Sequence, residues 1–139
     1  MPFASVNYLA VFAAGIAGWM AGAIWYGVLG KAWLTALGRT KEDMSMARGT
    51  PAFYAPFVIA LIANLVIALV LYGVMRHVGA ITIRSGLISG AFCWFGFVLT
   101  TMATNNAFGG RKPMLTVIDA GHWLAVLLVI GAVLGVMGG

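Results

Sequence analysis

FYAPFVIALIANLVIALVLYGVM, residues Phe53 to Met75, is an uninterrupted apolar run close to the about 20 residues a helix needs to cross the hydrocarbon core of a bilayer. Three further runs share its character: Val6 to Gly30, Ser85 to Ala107 and Met114 to Val136. Hydrocarbon offers backbone N–H and C=O groups no partner, so only helices and closed barrels span it. Barrel strands alternate apolar and polar residues over short segments, whereas these runs are long and continuous. The expectation is an all-α polytopic membrane protein: one domain, residues 1–139, with four transmembrane helices at about 6–30, 53–75, 85–107 and 114–136 packed as a bundle through glycine-rich interfaces.

Composition requires the same solvent. The chain is 63% hydrophobic and 8% charged, with a mean hydropathy of +1.03; a soluble domain carries roughly 25% charged residues. In water it would expose apolar area far beyond what a soluble monomer tolerates, so the lipid bilayer is the first partner. The four spans and their connections are expected to use up the 139 residues. Ala21-Gly22-Ala23 looks like a signal-peptide cleavage site, but residues Met1 to Tyr8 carry no Lys or Arg and the apolar run is too long. It reads as an uncleaved span. The lone Cys93 lies inside the third run and reads as a small packing residue.

Lys31, Arg39, Lys41 and Arg48 fall in the first connection and Arg111 and Lys112 in the third; only Arg76 and Arg84 flank the second. The positive-inside rule then makes connections 31–52 and 108–113 cytoplasmic and leaves both termini outside. The net charge of +5 follows from this retention signal and is not a nucleic-acid footprint, which needs a basic soluble face. Trp25, Tyr26, Lys31 and Trp33 form an interfacial belt at the cytoplasmic boundary. Thr40-Lys41-Glu42-Asp43 is a capping-box start for a short helix that ends near Arg48-Gly49.

Nineteen glycines are arranged rather than scattered. Gly18 and Gly22, Gly86 and Gly90, and Gly131 and Gly135 each present two small residues on one helix face, the arrangement that lets membrane helices approach closely. On a helical wheel Asp119, His122, Val126, Ile130 and Val133 share one side of the fourth helix, and Gly131 and Gly135 lie nearly opposite. Such a helix needs partners on two faces. In the third, Gly86, Gly90, Cys93, Phe97, Thr100, Thr101 and Thr104 group together and are expected to meet the polar face of the fourth.

Asp119 is the only acid within a span, about 8 Å below the cytoplasmic edge at 1.5 Å per residue, and an intramembrane carboxylate is a candidate functional group by default. His122, one turn on, faces the same way. The two can relay protons, or Asp119 can bind Arg111, Lys112 or Asn105 and pin the third connection to the fourth helix. Asn64, at the middle of the second helix between Ala60 and Ala68, suits an interhelical hydrogen bond or contact with a solute. Asp119-x-x-His122 has the spacing of helical-bundle metal sites, but one carboxylate and one imidazole are too few. No metal or cofactor is expected, nor is an enzyme, since no nucleophile–base order and no phosphate-binding glycine loop occurs.

Trp25-Tyr26, Gly30-Lys31-Ala32-Trp33, then Asn105, Phe108, Gly110-Arg111 and Ile118-Asp119-Ala120-Gly121, in that order over nearly the whole chain, resemble a family of small bacterial membrane proteins catalogued as domain of unknown function 1761. Members usually carry Ser-Pro after the Trp-Tyr pair, where this chain has Gly27-Val28, and often a Tyr near position 122. The resemblance implies a four-helix integral protein of a bacterial inner membrane without an established activity and gives weight to Lys31 and Asp119. Two functions compete: a homo-oligomer transporting protons, ions or a small solute past Asp119, His122, Asn64 and Asn105, and a membrane-embedded scaffold or accessory subunit that works through its glycine faces.

Overall fold

The computed structural model describes residues 2–139, without the side chains of residues 2, 3, 46 and 47. A 3-10 turn (Pro2–Ser5) precedes α1 (Tyr8–Leu37), α2 (Lys41–Ala47), α3 (Pro51–Val78), α4 (Ile83–Cys93), a π-helical turn (Trp94–Leu99), α5 (Thr100–Phe108) and α6 (Pro113–Met137). The α4, π and α5 segments form one continuous helix, Ile83–Phe108. The described residues contain no strand, and four helices are long and apolar enough to cross a membrane.

Local chemistry sets the ends. The Asn7 side chain accepts from the Ala10 N–H and starts α1. No breaker follows at Gly30-Lys31, so α1 runs on to Leu37 and stops only where Gly38 adopts φ 75°, a left-handed conformation natural to glycine. That extra length carries Ala36 onto Leu115 and Ile118 of α6, with Tyr26, Trp33 and Leu37 packed alongside. Thr40 and Asp43 close a reciprocal capping box at the start of α2. α3 opens with Thr50 as cap and Pro51 in its first turn, where a missing N–H costs nothing.

α6 lies between α1 and α4; α1 also packs on α3, and α3 reaches α4 to close the bundle. The interior is built from Ala10, Ala14, Ala68, Leu71, Met75, Val126, Ile130 and Leu134. At the α4–α6 crossing a Cβ on Gly86 would run into the Gly131 carbonyl, and one on Gly131 into the Gly86 carbonyl. Gly90 faces the Leu127 carbonyl oxygen, 2.8 Å from where a Cβ would sit, and Gly135 faces the Ile83 backbone at 2.5 Å.

The third span departs from its helical wheel. Gly86 and Gly90 face α6, but Phe97, Thr100, Thr101 and Thr104 are exposed. A π turn puts an extra residue into each turn, so the segment after Trp94 is rotated away from the face that Gly86 and Gly90 share. The displaced hydroxyls bond their own helix instead: Thr100 to the Gly96 carbonyl at 2.8 Å, Thr101 to Phe97 at 2.6 Å and Thr104 to Thr100 at 2.8 Å. The meeting of this stripe with the polar face of the fourth helix does not occur.

Two outcomes are expected. Gly86→Ala should lower thermal stability in detergent by about 1–3 kcal/mol or more, because backbone on the facing helix cannot yield as a side chain does. Gly73→Ala, with open space around it, should be neutral or stabilising by up to about 1 kcal/mol through helix propensity. The Thr40 backbone N–H, with the Thr40 hydroxyl and the Arg39 charge, holds the Asp43 carboxyl below its usual range. A depressed folded pKa means that the stabilisation of α2 is present above the ordinary Asp value of about 4 and is lost as pH falls through the lower folded one. Amide protection over α2, corrected for intrinsic exchange, should fall across that window in the wild type and show no such step in Asp43→Asn.

Candidate functional site

The side chains that carry chemistry converge where α1 crosses the first half of α6. The Tyr26 hydroxyl donates to Asp119 Oδ1 at 2.5 Å. On either side of that bond two indoles reach backbone carbonyls of the same α6 turn: Trp25 Nε1–H donates to Ile118 O at 3.1 Å and Trp94 Nε1–H to Ala120 O at 2.7 Å. Gly121 leaves room for the Trp25 ring, whose Cζ2 would lie 2.9 Å from a Cβ there. Four consecutive residues, Ile118 to Gly121, thus engage α1 and the third span at once. Trp33 adds an edge-on contact to Tyr26 at 5.4 Å between centroids.

His122 follows one turn above. It is 8% exposed, its ring 4.8 Å from that of Tyr26 and 4.6 Å from that of Trp123. Its Nδ1 is buried without a hydrogen-bond partner. Its Nε2 lies against Gly22, 2.7 Å from where a Cβ would sit. One further turn along α1, Gly18 faces Asn64 Oδ1 at 2.7 Å and Ile130 at 2.8 Å, measured the same way. Asn64 is 2% exposed; its Nδ2 donates to the Ala60 carbonyl of its own helix at 2.8 Å, and its Oδ1 has no partner. Gly18, Gly22 and Tyr26 recur at every fourth residue and so form one stripe, with Asn64, His122 and Asp119 ranged along it.

Beyond this line the interior is mostly apolar. Val126, Ile130, Leu134 and Met75 are fully buried, with Ser89 of α4 buried as well, so the line of Asn64, His122 and Asp119 occupies the half of the bundle that carries connections 31–52 and 108–113. Asn105 is not among them: it is exposed, its carbonyl accepting from Gly109 N at 2.9 Å. Its neighbour Asn106 does the pinning, donating to Thr116 Oγ1 at 2.9 Å. Asp119 takes a neutral phenol rather than Arg111, Lys112 or Asn105, because it faces α1 while those side chains are exposed. Lys31 is also exposed.

In the sequence Tyr26 belongs to an interfacial belt and nothing beside it names Asp119 as its partner; the four-residue spacing Gly18, Gly22, Tyr26 is the available signal. Gly121 and the indole bonds of Trp25 and Trp94 had no such signal, since an indole N–H seeking a carbonyl has no sequence period. No group of three or more His, Cys, Asp or Glu side chains that would hold a metal gathers among the described residues. Chemically the cluster offers a carboxylate, a phenol and an imidazole in succession, each able to hold or pass a proton.

Residues 9–135 match the family described as "Protein of unknown function (DUF1761)", to which the chain therefore belongs. No curated protein and no solved structure matches it.

Tyr26→Phe is expected to destabilise the protein by about 1–3 kcal/mol, the cost of leaving a buried acceptor without its donor. Asp119→Asn should cost less, because an amide oxygen still accepts from Tyr26. Melting temperatures of both variants in one mild detergent check this, and an unchanged Tyr26→Phe would show that the bond adds no net stability.

Proposed function

We propose that this DUF1761 member transports protons or a small cation, with Asp119, Tyr26, His122 and Asn64 as the polar line that the transported species follows. The observation that carries the reading is the buried His122 Nδ1 without a partner, next to the Asp119–Tyr26 pair. An unsatisfied polar atom costs about 1–3 kcal/mol inside a protein, and an ionisable group within a span marks a proton or ion path by default. A neutral imidazole can take a proton on one ring nitrogen and release one from the other, which suits a position between a carboxylate and an amide. The apolar half closed by Ile130, Leu134 and Met75 would have to part for passage, through movement of α1 against α6.

The reading includes a bacterial inner-membrane location, connections 31–52 and 108–113 in the cytoplasm, and a homo-oligomer. The excess of basic residues in those connections supports the orientation. A contact between copies would use the lipid-facing aromatic surfaces of the second and third spans, where Phe57, Phe92 and Phe95 are exposed. The six glycines singled out as packing residues all meet neighbours within the chain. A second reading, a scaffold without flux, is favoured by a different observation: the bonds from Trp25, Tyr26 and Trp94 give Asp119 and its neighbours a complete structural role.

Proteoliposomes with an internal pH indicator separate the two. On the transport reading, wild-type protein dissipates an imposed pH gradient faster than empty vesicles, and Asp119→Asn loses most of that flux at nearly unchanged melting temperature. Wild-type vesicles no leakier than empty ones, or an Asp119→Asn protein with full flux, would leave the scaffold. Orientation is checked in a Cys93→Ala background. Ser45→Cys should react with a membrane-impermeant maleimide only after cells are broken, and Ala80→Cys in intact spheroplasts.

A further inference from the structure

A cleft of about 360 Å³ opens at the corner where α1, α2 and α3 meet. Its apolar lining is Leu34, one turn from the end of α1, Met44 of α2, and Phe53 in the first turn of α3. Lys41, Glu42 and Arg48 also line it, and all three are exposed. Both flanking helices are candidate spans, so the corner lies at a water–lipid boundary, with Leu34 and Phe53 on the spans and Met44 and the charges on the connection.

The charges are specific in sign and in availability. Asp43, the other acid on α2, is committed to the capping box, its carboxylate accepting from Thr40 N at 3.0 Å. The Ser45 hydroxyl is turned back to the Glu42 carbonyl at 3.1 Å. The side chains of Lys41, Arg48 and Glu42 have no hydrogen-bond or ion-pair partner among the described residues. The cleft therefore presents two cations and one free carboxylate above an apolar lining. A purely anionic headgroup would meet Glu42 as repulsion, and a quaternary ammonium would give that carboxylate no N–H donor. A headgroup with one phosphate and one primary ammonium satisfies all three, the phosphate between Lys41 and Arg48 and the ammonium on Glu42, while its acyl chains run down over Leu34, Met44 and Phe53.

We infer that this corner is a binding seat for an aminophospholipid of the phosphatidylethanolamine type. Native mass spectrometry of the full chain in detergent, with phosphatidylethanolamine, phosphatidylglycerol and phosphatidylcholine added at equal mole fraction, tests it. Wild type should retain phosphatidylethanolamine in preference to the other two. Arg48→Ala, and Lys41→Ala as a second variant, should lose most of the bound lipid, whereas Arg84→Ala at the far end of the bundle should bind as wild type does. Glu42→Gln should keep phosphate-lipid binding but shift its preference to phosphatidylglycerol. Wild-type preference for phosphatidylglycerol would reduce the corner to unspecific attraction of anionic lipid and overturn the inference, as would equal retention of all three lipids or an unchanged preference in Glu42→Gln. All four substituted residues are exposed, so folding is not at issue, and the readout does not depend on flux.

Discussion

The hydrogen bond from Tyr26 to Asp119 joins the two helices on which the rest of the bundle is assembled. A carboxylate in a span is costly until something inside the chain satisfies it, and the phenol does so from the facing helix rather than from a loop. That fixes the rotation of α1 against α6. With this rotation set, Gly22 and Gly18 fall opposite His122 and Ile130, Trp25 falls over Gly121, and the opposite side of α6 is left for the Gly86–Gly131 crossing with α4. A shift of either helix by one residue would turn Tyr26 about 100° away from its acceptor and set side chains where backbones now touch.

Backbone carbonyls do much of the remaining polar work. Three indoles, Trp19, Trp25 and Trp94, donate to carbonyls of a neighbouring helix, and three threonines of α5 donate to their own. A helix carbonyl has a second lone pair free after its ladder bond, so a bundle poor in polar side chains can still satisfy the indole N–H and hydroxyl groups placed near it. This explains why Trp19 and Trp94 sit away from the interface belt: each brings a large apolar ring and a donor that the neighbouring backbone accepts.

Much of this architecture is legible from residue order alone, and the exceptions have physical causes. The spans are written in uninterrupted apolar runs, and α2 in the Thr40–Asp43 box. The two-faced character of α6 follows from the wheel positions of Asp119 and His122 against Gly131 and Gly135. The wheel fails in the third span because it assumes a constant angle per residue, and the π turn at Trp94–Leu99 breaks that assumption. The partner of Asp119 is marked only by the faint spacing of Gly18, Gly22 and Tyr26, against which proximity in sequence favours Arg111 and Lys112. In the fold the relevant distance runs across the α1–α6 seam, and a phenol 93 residues away is nearer.

The same seam explains why a structural and a transporting role for Asp119 are compatible. Its bond to Tyr26 needs an acceptor, which an amide supplies as well as a carboxylate; the negative charge adds nothing to the helix rotation that the bond sets. Desolvating that charge is the costly part, so the charge itself, and not the hydrogen bond, is what the scaffold reading leaves without a purpose. His122 sharpens the point. Its ring is packed between Tyr26 and Trp123 like a core aromatic, a place that a phenylalanine could fill without leaving Nδ1 unpartnered. Asn64 repeats the pattern one turn further in, with one amide group bonded and the other bare. On the proposed transport reading the ionisable group of Asp119 and the two bare atoms, His122 Nδ1 and Asn64 Oδ1, share one account, a species that moves along them, whereas the scaffold reading leaves two separate failures of satisfaction.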